Sequence, residues 1–370
     1  MTVTTTAAVV EAAGADFVLD EIELDELRPD EVLVKMVAAG LCHTDLSVQA
    51  GHTGYAFPGI LGHEGAGIVE AVGSAVTRVR PGDHVALTFT SCGACPHCRN
   101  GHPAYCATWV PANLFNNGLR PDGSSPARRD DTAVTARFFG QSSFSAHAVV
   151  DERCVVPLDD DLPLHLMAPL GCAIQTGAGT VLNILRPAAG QSLAVFGTGA
   201  VGLAAIMGAA VTAAGAIIAV DRVQSRLDLA LELGATHAIN TTTADLSAEI
   251  AAITGGAGLD HAVDTTANVN VTRAITDNLA TFGTCAVVGA PPPGTELAID
   301  ISALLVGRRI VGVTEGDSEP LTFIPALAEL YRQGRLPLEK LVTTYQFSDI
   351  NKAAEDAKAG TTIKPVLLFD

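Results

Sequence analysis

Residues 187–220 contain no Asp, Glu, Lys, Arg or His. So long an uncharged run has to be buried, either in lipid or in the middle layer of a large domain. Gly197, Gly199, Gly202, Gly208 and Gly215 punctuate it and divide it into pieces too short to span a bilayer. The apolar pattern predicts a strand over 193–196, a helix over 200–213 and a second strand over 217–220. A β-α-β unit covered on both faces accounts for the missing charge, and no membrane association is expected.

Between the first strand and the helix stands Gly197-Thr198-Gly199-Ala200-Val201-Gly202, a G-x-G-x-x-G. Alone, that pattern is weak, and a plain glycine turn would read the same way. Here it follows a strand and opens a helix, and Asp221 closes the next strand nineteen residues after Gly202. The glycines permit a tight turn and let backbone N–H groups reach a pyrophosphate at the helix N-terminus. Asp221 can accept hydrogen bonds from an adenosine ribose, and its charge opposes a 2′-phosphate, so NAD is expected rather than NADP. An ordinary strand-end Asp is the structural alternative. Helices over 226–233 and 271–280, strands over 261–263, 284–289 and 310–314, and a helical or turn piece at 304–307 continue the alternation. The fold class is therefore α/β, with a doubly wound parallel Rossmann sheet over 173–317.

A second constraint lies upstream. Cys92, Cys95, Cys98 and Cys106 form C-x2-C-x2-C-x7-C, interleaved with Gly93, Pro96, Asn100, Gly101 and Pro103. Thiolates on such short tethers can close a tetrahedral structural Zn²⁺ site, and the turn residues favour a wrapping loop over a helix. The polar stretch 111–135, with Asn113, Asn116, Asn117, Gly118, Pro121, Asp122, Gly123 and Pro126, reads as an excursion loop.

Length and charge narrow the function. A chain of 370 residues with 48% hydrophobic content has material for two cores. A formal charge of −18 makes nucleic acid or acidic lipid a poor partner for the cysteine lobe. Met1 to Val10 lack a basic segment followed by a long apolar core, so no signal peptide and a cytoplasmic setting are expected. The other cysteines, Cys42, Cys154, Cys172 and Cys285, are too scattered for a disulfide framework.

Two further motifs precede the lobe: Gly40-Leu41-Cys42-His43-Thr44-Asp45, and Gly62-His63-Glu64-Gly65-Ala66-Gly67 leading to Gly73. Cys172 stands just ahead of the nucleotide fold. Separately, a buried Cys is usually a small hydrophobe and a lone His usually structural. In this order, the motifs resemble the zinc-dependent medium-chain alcohol dehydrogenase family over essentially the whole chain. Phe138-Phe139-Gly140-Gln141-Ser142-Ser143-Phe144 and Glu315-Gly316-Asp317-Ser318 look most like its aryl-alcohol (benzyl-alcohol) dehydrogenase branch.

The resemblance implies a β-rich, partly barrel-like (GroES-like) catalytic domain over 1–172, returning over 318–370, around the nucleotide domain. It implies NAD and two Zn²⁺ per subunit, one structural in the cysteine lobe and one catalytic on Cys42, His63 and Cys172 with an open fourth position. Primary aromatic or allylic alcohols and their aldehydes would then interconvert by hydride transfer from an alkoxide on zinc to the nicotinamide. Thr44 takes the substrate proton by position, unless it merely caps a helix. Asp45 is expected to orient the His63 ring, and Glu64 to coordinate zinc transiently or act through its charge. His43 stands where many relatives carry an Arg against the cofactor pyrophosphate, and Lys364 matches a second phosphate contact. Ser47 replaces a relay His found in some members, and His52 is out of register, so weaker buffering or a direct water path for the proton is expected. Phe89, Trp109, Phe138 and Phe139 are pocket candidates, as aromatic walls suit flat alcohols, although such residues are often ordinary core. Pairing of 310–314 across a two-fold axis would give a homodimer or homotetramer.

Two rivals stay open at this level. A thiol-dependent formaldehyde dehydrogenase of the same superfamily needs a cationic pocket, for which the candidate stretches offer little. A non-enzymatic zinc- and nucleotide-binding protein would have little need for Cys42, His63 and Cys172 together.

Overall fold

The computed structural model describes residues 2–115 and 119–370, so Asn116, Asn117 and Gly118 of the expected excursion loop lie outside the described residues. The chain divides into two compact units, Met1–Cys172 with Glu319–Tyr331 and Leu338–Asp370, and Ala173–Ser318 with Arg332–Pro337.

Among the described residues, the first unit contains a five-stranded and a seven-stranded sheet. Its spine is Glu31–Gly40, whose Val32, Val34, Met36, Ala38 and Ala39 are buried. Gly65–Val72 pairs antiparallel along one edge of that strand, while His147–Asp151 and Lys364–Leu368 pair along the other. His84–Leu87 adds to Gly65–Val72. The register puts Ala39 opposite Gly65, Gly40 opposite Val366 and Ala66 opposite Ala86. One sheet end therefore releases the chain toward Cys42, receives it just after His63 and Glu64, and starts a strand at Lys364. Antiparallel pairing alone has gathered residues from three distant parts of the sequence.

The five-stranded sheet runs Gly59–Ile60, Val3–Val10, Phe17–Leu24, Ala127–Arg129 and Thr132–Val134. The last two strands correct the expectation that 111–135 is only a loop: the segment closes a hairpin onto Phe17–Leu24. Behind it, Glu31 is 1% exposed and sits in a buried ionic set. Arg120 grips both of its oxygens at 2.7 and 2.8 Å, and Arg137 reaches Oε1 at 3.2 Å and Asp151 at 3.1 Å. Removing one partner from such a set typically costs about 3–5 kcal/mol, because a charge is left buried and alone.

In the second unit, the six-stranded parallel sheet has the order His237–Asn240, Ala216–Asp221, Ser192–Phe196, Leu259–Asp264, Leu279–Val287, Arg309–Gly312. In chain order this is 3-2-1-4-5-6, the doubly wound arrangement that places a dinucleotide beyond the carboxyl end of its first strand. Pattern reading missed the strand His237–Asn240 and the helix Leu246–Thr254. It also ran the helix at Val269–Asp277 too far, since Leu279 and Ala280 already belong to the next strand.

Candidate active site

Cys42 precedes the helix His43–Gln49, and Asp45 folds back to accept from the Cys42 backbone N–H with Oδ2 at 2.9 Å. Its other oxygen accepts from Gly62 N–H at 3.1 Å and lies 2.8 Å from His63 Nδ1. Asp45 is wholly buried, so one carboxylate links the two segments and orients the imidazole. Cys172 follows a tight turn at Ala168–Gly171.

The outcome is a cluster: ligand atoms of Cys42, His63, Glu64 and Cys172 lie within 4.8 Å of one another. His63 Nε2 is buried and has no hydrogen-bond partner. A satisfied core histidine would not leave that nitrogen orphaned, whereas two thiols and a neutral imidazole form a donor set suited to zinc. Hydrogen bonding from Cys172 and the nearby Lys364 and His63 hold the Cys42 thiol well below the ordinary cysteine range, against the opposing effect of burial. Burial opposes a charged His63, yet Asp45 raises its pKa well above the usual histidine value.

Glu64 and Lys364 form a buried ion pair beside the cluster. Lys364 is 2% exposed, and its ammonium meets both Glu64 oxygens at 2.9 and 2.8 Å and Leu41 O at 3.3 Å. Burial works against its charge, but Glu64 raises its pKa overall. Lys364 is thus an interior ion-pair partner of Glu64 in this arrangement. The sequence does not announce this pairing, because the partner lies 300 positions away. Glu64 belongs to the cluster but faces Lys364.

His43 is exposed, and the Thr44 hydroxyl lies 4.0 Å from Cys42 Sγ. Ser47 is half-buried on the same helix, and His52 is exposed beyond it. The four aromatic candidates form one connected stack leading away from His63. Phe139 lies flat on the imidazole with centroids 4.5 Å apart, and Phe138 meets it edge-on at 5.5 Å. Trp109 packs edge-on against Phe139 at 5.7 Å, and Phe89 tilts against Trp109 at 6.5 Å. Tyr55, not anticipated, packs on Phe138 at 5.4 Å.

The cysteine lobe is equally compact, with the four sulfurs within 4.8 Å of one another. Backbone N–H groups of Cys92 and Cys95 point at the sulfurs of Cys106 and Cys92, at 3.2 and 3.3 Å. Backbone hydrogen bonds from Ala107 and Cys98 lower the Cys95 thiol to about 6, while burial and the hydrogen bonds of Cys95 and Cys106 push Cys98 up to about 12. The lobe is not all loop, since Pro96–Arg99 forms one helical turn with Pro96 in its first position.

In the second unit, Gly197 adopts φ +86° and Gly199 caps the helix Ala200–Ala210. No described heavy atom lies within 4 Å of where a Gly199 side chain would begin, which leaves room beside the helix N-terminus. Gly202 packs where any side chain would strike the Gly197 carbonyl. Asp221 accepts at Oδ2 from the Thr198 N–H and hydroxyl, both at 2.7 Å, and at Oδ1 from Arg222 and Val223 N–H at 2.6 and 3.0 Å. Burial raises its pKa, but these donors outweigh burial and keep the carboxyl below its usual range. Glu315 is buried, with Gln175 and Thr176 on its Oε2 at 3.3 and 3.2 Å. Glu315 and Asp317 hold left-handed φ values of 48° and 47°, so the Glu-Gly-Asp-Ser motif is a strained turn pinned to the helix Ala173–Gly179.

Residues 28–160 match the family model for the alcohol dehydrogenase GroES-like domain, and residues 200–331 that for zinc-binding dehydrogenases. The chain is 42% identical to geraniol dehydrogenase of Castellaniella defragrans over 98% of its own length and 97% of that protein. The crystal structure of benzyl alcohol dehydrogenase from Acinetobacter calcoaceticus is similar over 100% of both chains, with 43% identity and a TM-score of 0.95. A zinc-binding domain alcohol dehydrogenase structure from Burkholderia ambifaria matches with 47% identity, a TM-score of 0.97 and 100% coverage of both chains. The chain belongs to the zinc-dependent medium-chain alcohol dehydrogenase family and is an oxidoreductase acting on alcohols.

Proposed function

We propose that the chain uses NAD to interconvert primary aromatic or allylic alcohols and their aldehydes, with Cys42, His63 and Cys172 holding a catalytic zinc and the cysteine lobe a structural one. The observation that carries this reading is the Cys42–His63–Cys172 cluster with Phe139 stacked on His63. Zinc bound there supplies an electrophile that polarises the substrate oxygen. The rest of the chemistry belongs to the chain. Asp45 keeps the His63 proton on Nδ1 and so directs Nε2 to the cluster. Thr44 accepts the alcohol proton through its hydroxyl, and the aromatic stack excludes water from one side. Gly197, Gly199 and Gly202 seat the pyrophosphate, and Asp221 receives the ribose hydroxyls after the Thr198 hydroxyl turns away. The names of two relatives support the substrate class: geraniol is allylic and benzyl alcohol aromatic.

Initial rates on benzylic, allylic and short aliphatic alcohols with each nucleotide test this. The 2′-phosphate of NADP would stand against Asp221, a like-charge clash costing several kcal/mol. The expected preference for NAD in kcat/KM is therefore about 100-fold or more. Preference for NADP would overturn the Asp221 role, and turnover confined to thiol adducts of formaldehyde would overturn the substrate class.

The proposal extends to assembly. On the second unit, Phe282, Ile301 and Leu305 are 71%, 71% and 84% exposed, near the edge strand Arg309–Gly312. A second copy pairing along that edge would cover them. Light scattering should then give two or four times the 37.9 kDa chain mass, and a monomer at micromolar concentration would contradict it. Among the described residues no helix is long and apolar enough to cross a membrane. A reducing, cytoplasmic setting suits the six cysteines assigned to metal.

A further inference from the structure

Asp45 links Cys42 to His63, but nothing in that linkage reaches Cys172. A second set of buried polar groups does. Gln141 is wholly buried, and its Nε2 donates to His63 O and Thr88 O, both at 3.0 Å, while its Oε1 accepts from Gly65 N–H at 3.1 Å. Two carbonyls and one N–H around the amide leave only one way for it to face. Thr88, also wholly buried, donates its hydroxyl to Gly171 O at 2.7 Å, the residue before Cys172. Gly171 itself packs where any side chain would collide with the Leu87 carbonyl, so the Cys172 turn is pressed against the end of the strand His84–Leu87.

The segment carrying Gln141 is held under strain. Phe139 and Ser142 both sit at left-handed φ values, 51° and 50°, costing about 1–3 kcal/mol each. The surroundings hold them there: Ser143 and Phe144 N–H bond to Gly62 and Leu61 carbonyls at 2.9 and 3.0 Å, and the Ser142 hydroxyl donates to Ile60 O at 2.7 Å. The same short turn therefore brings Gln141 under His63 and Phe139 over its ring.

We propose that Gln141 and Thr88 are positioning residues that join the backbone behind His63 to the backbone behind Cys172, and so set the spacing of these two metal ligands. The proposal rests on the assignment of Cys42, His63 and Cys172 to a zinc. With Asp45, the belt makes the ligand triangle rigid before any ion arrives. Loss of either side chain lets Cys172 drift from His63, and the weakened property is metal affinity. The fold should persist, because the strands beneath keep their own ladders.

The test is zinc competition with a chromogenic chelator on the full-length protein, with the visible spectrum of the cobalt(II)-loaded form as second readout. Thr88→Val keeps shape and deletes the hydroxyl, Gln141→Met deletes the amide, and Thr88→Ser restores the hydroxyl. Partners behind metal ligands typically govern about 10–100-fold in metal affinity. A weakening of that size is expected at the more labile site for Thr88→Val and Gln141→Met, with shifted cobalt bands and an unchanged lobe zinc. Thr88→Ser should recover parental affinity and bands. If Gln141→Met fails to fold, the Thr88 pair decides. Parental affinity and spectrum in Thr88→Val, even with a lower Tm, would overturn the belt alone. A parent chain that takes up only the lobe metal would overturn the site assignment and the belt together.

Discussion

Replacing His63 with alanine is expected to cut kcat/KM for alcohol oxidation by about a thousandfold or more, while the protein stays folded and keeps the metal of its cysteine lobe. Lewis-acid stabilisation of the reacting oxygen is worth several kcal/mol, and each 1.36 kcal/mol corresponds to roughly tenfold in rate. The substitution removes the one orphaned buried nitrogen of the cluster and leaves Asp45 facing two backbone N–H groups that still hold it. The loss should therefore fall on metal and turnover rather than on fold. Metal analysis alongside initial rates checks it: one zinc fewer per chain with activity gone is the expected pair of results. Activity retained near the parental level would show that His63 is not part of the catalytic machinery.

Cys98→Ala should act on the other site. The four sulfurs stand in one group, with Cys95 and Cys98 Sγ atoms 3.5 Å apart. Structural zinc in zinc-finger peptides binds with about 10–16 kcal/mol of apparent free energy, so loss of a ligand weakens binding by orders of magnitude. Without the ion, the lobe keeps two short helical turns, local backbone hydrogen bonds and a few N–H···S contacts, and it should open locally. The chain has a single tryptophan, Trp109, whose backbone N–H donates to Cys106 O at 2.9 Å and whose indole Nε1 is buried without a hydrogen-bond partner. Its emission should shift to the red in Cys98→Ala as the indole gains water. Unchanged emission with full zinc content would contradict a structural metal in the lobe.

What the sequence disclosed and what it concealed follow from how far apart the interacting residues lie. The cysteine array, the glycine turn with Asp221, and the β-α-β unit are local, because tether length and periodicity act within a few dozen residues. Asp45 was legible as a partner of His63 only because family order supplied the juxtaposition. The belt was not legible. Gln141 and Thr88 are 53 positions apart and look like ordinary loop polar residues until the sheet end brings them together. Glu31 is buried against Arg120, a partner 89 positions away that no local pattern connects to it. The Lys364–Glu64 ion pair was hidden for the same reason. The strand at His237–Asn240 is four residues long and half exposed, too short and too polar for an alternating pattern to register.

The most direct measurement is an anomalous difference map recorded at the zinc absorption edge from crystals of the protein grown with zinc. The expected result is one peak inside the lobe and a second held by Cys42 Sγ, His63 Nε2 and Cys172 Sγ, at about 2.3 Å from sulfur and about 2.0–2.1 Å from nitrogen. A map with zinc in the lobe alone, or with the second ion away from His63, would contradict the proposed site and the chemistry built on it.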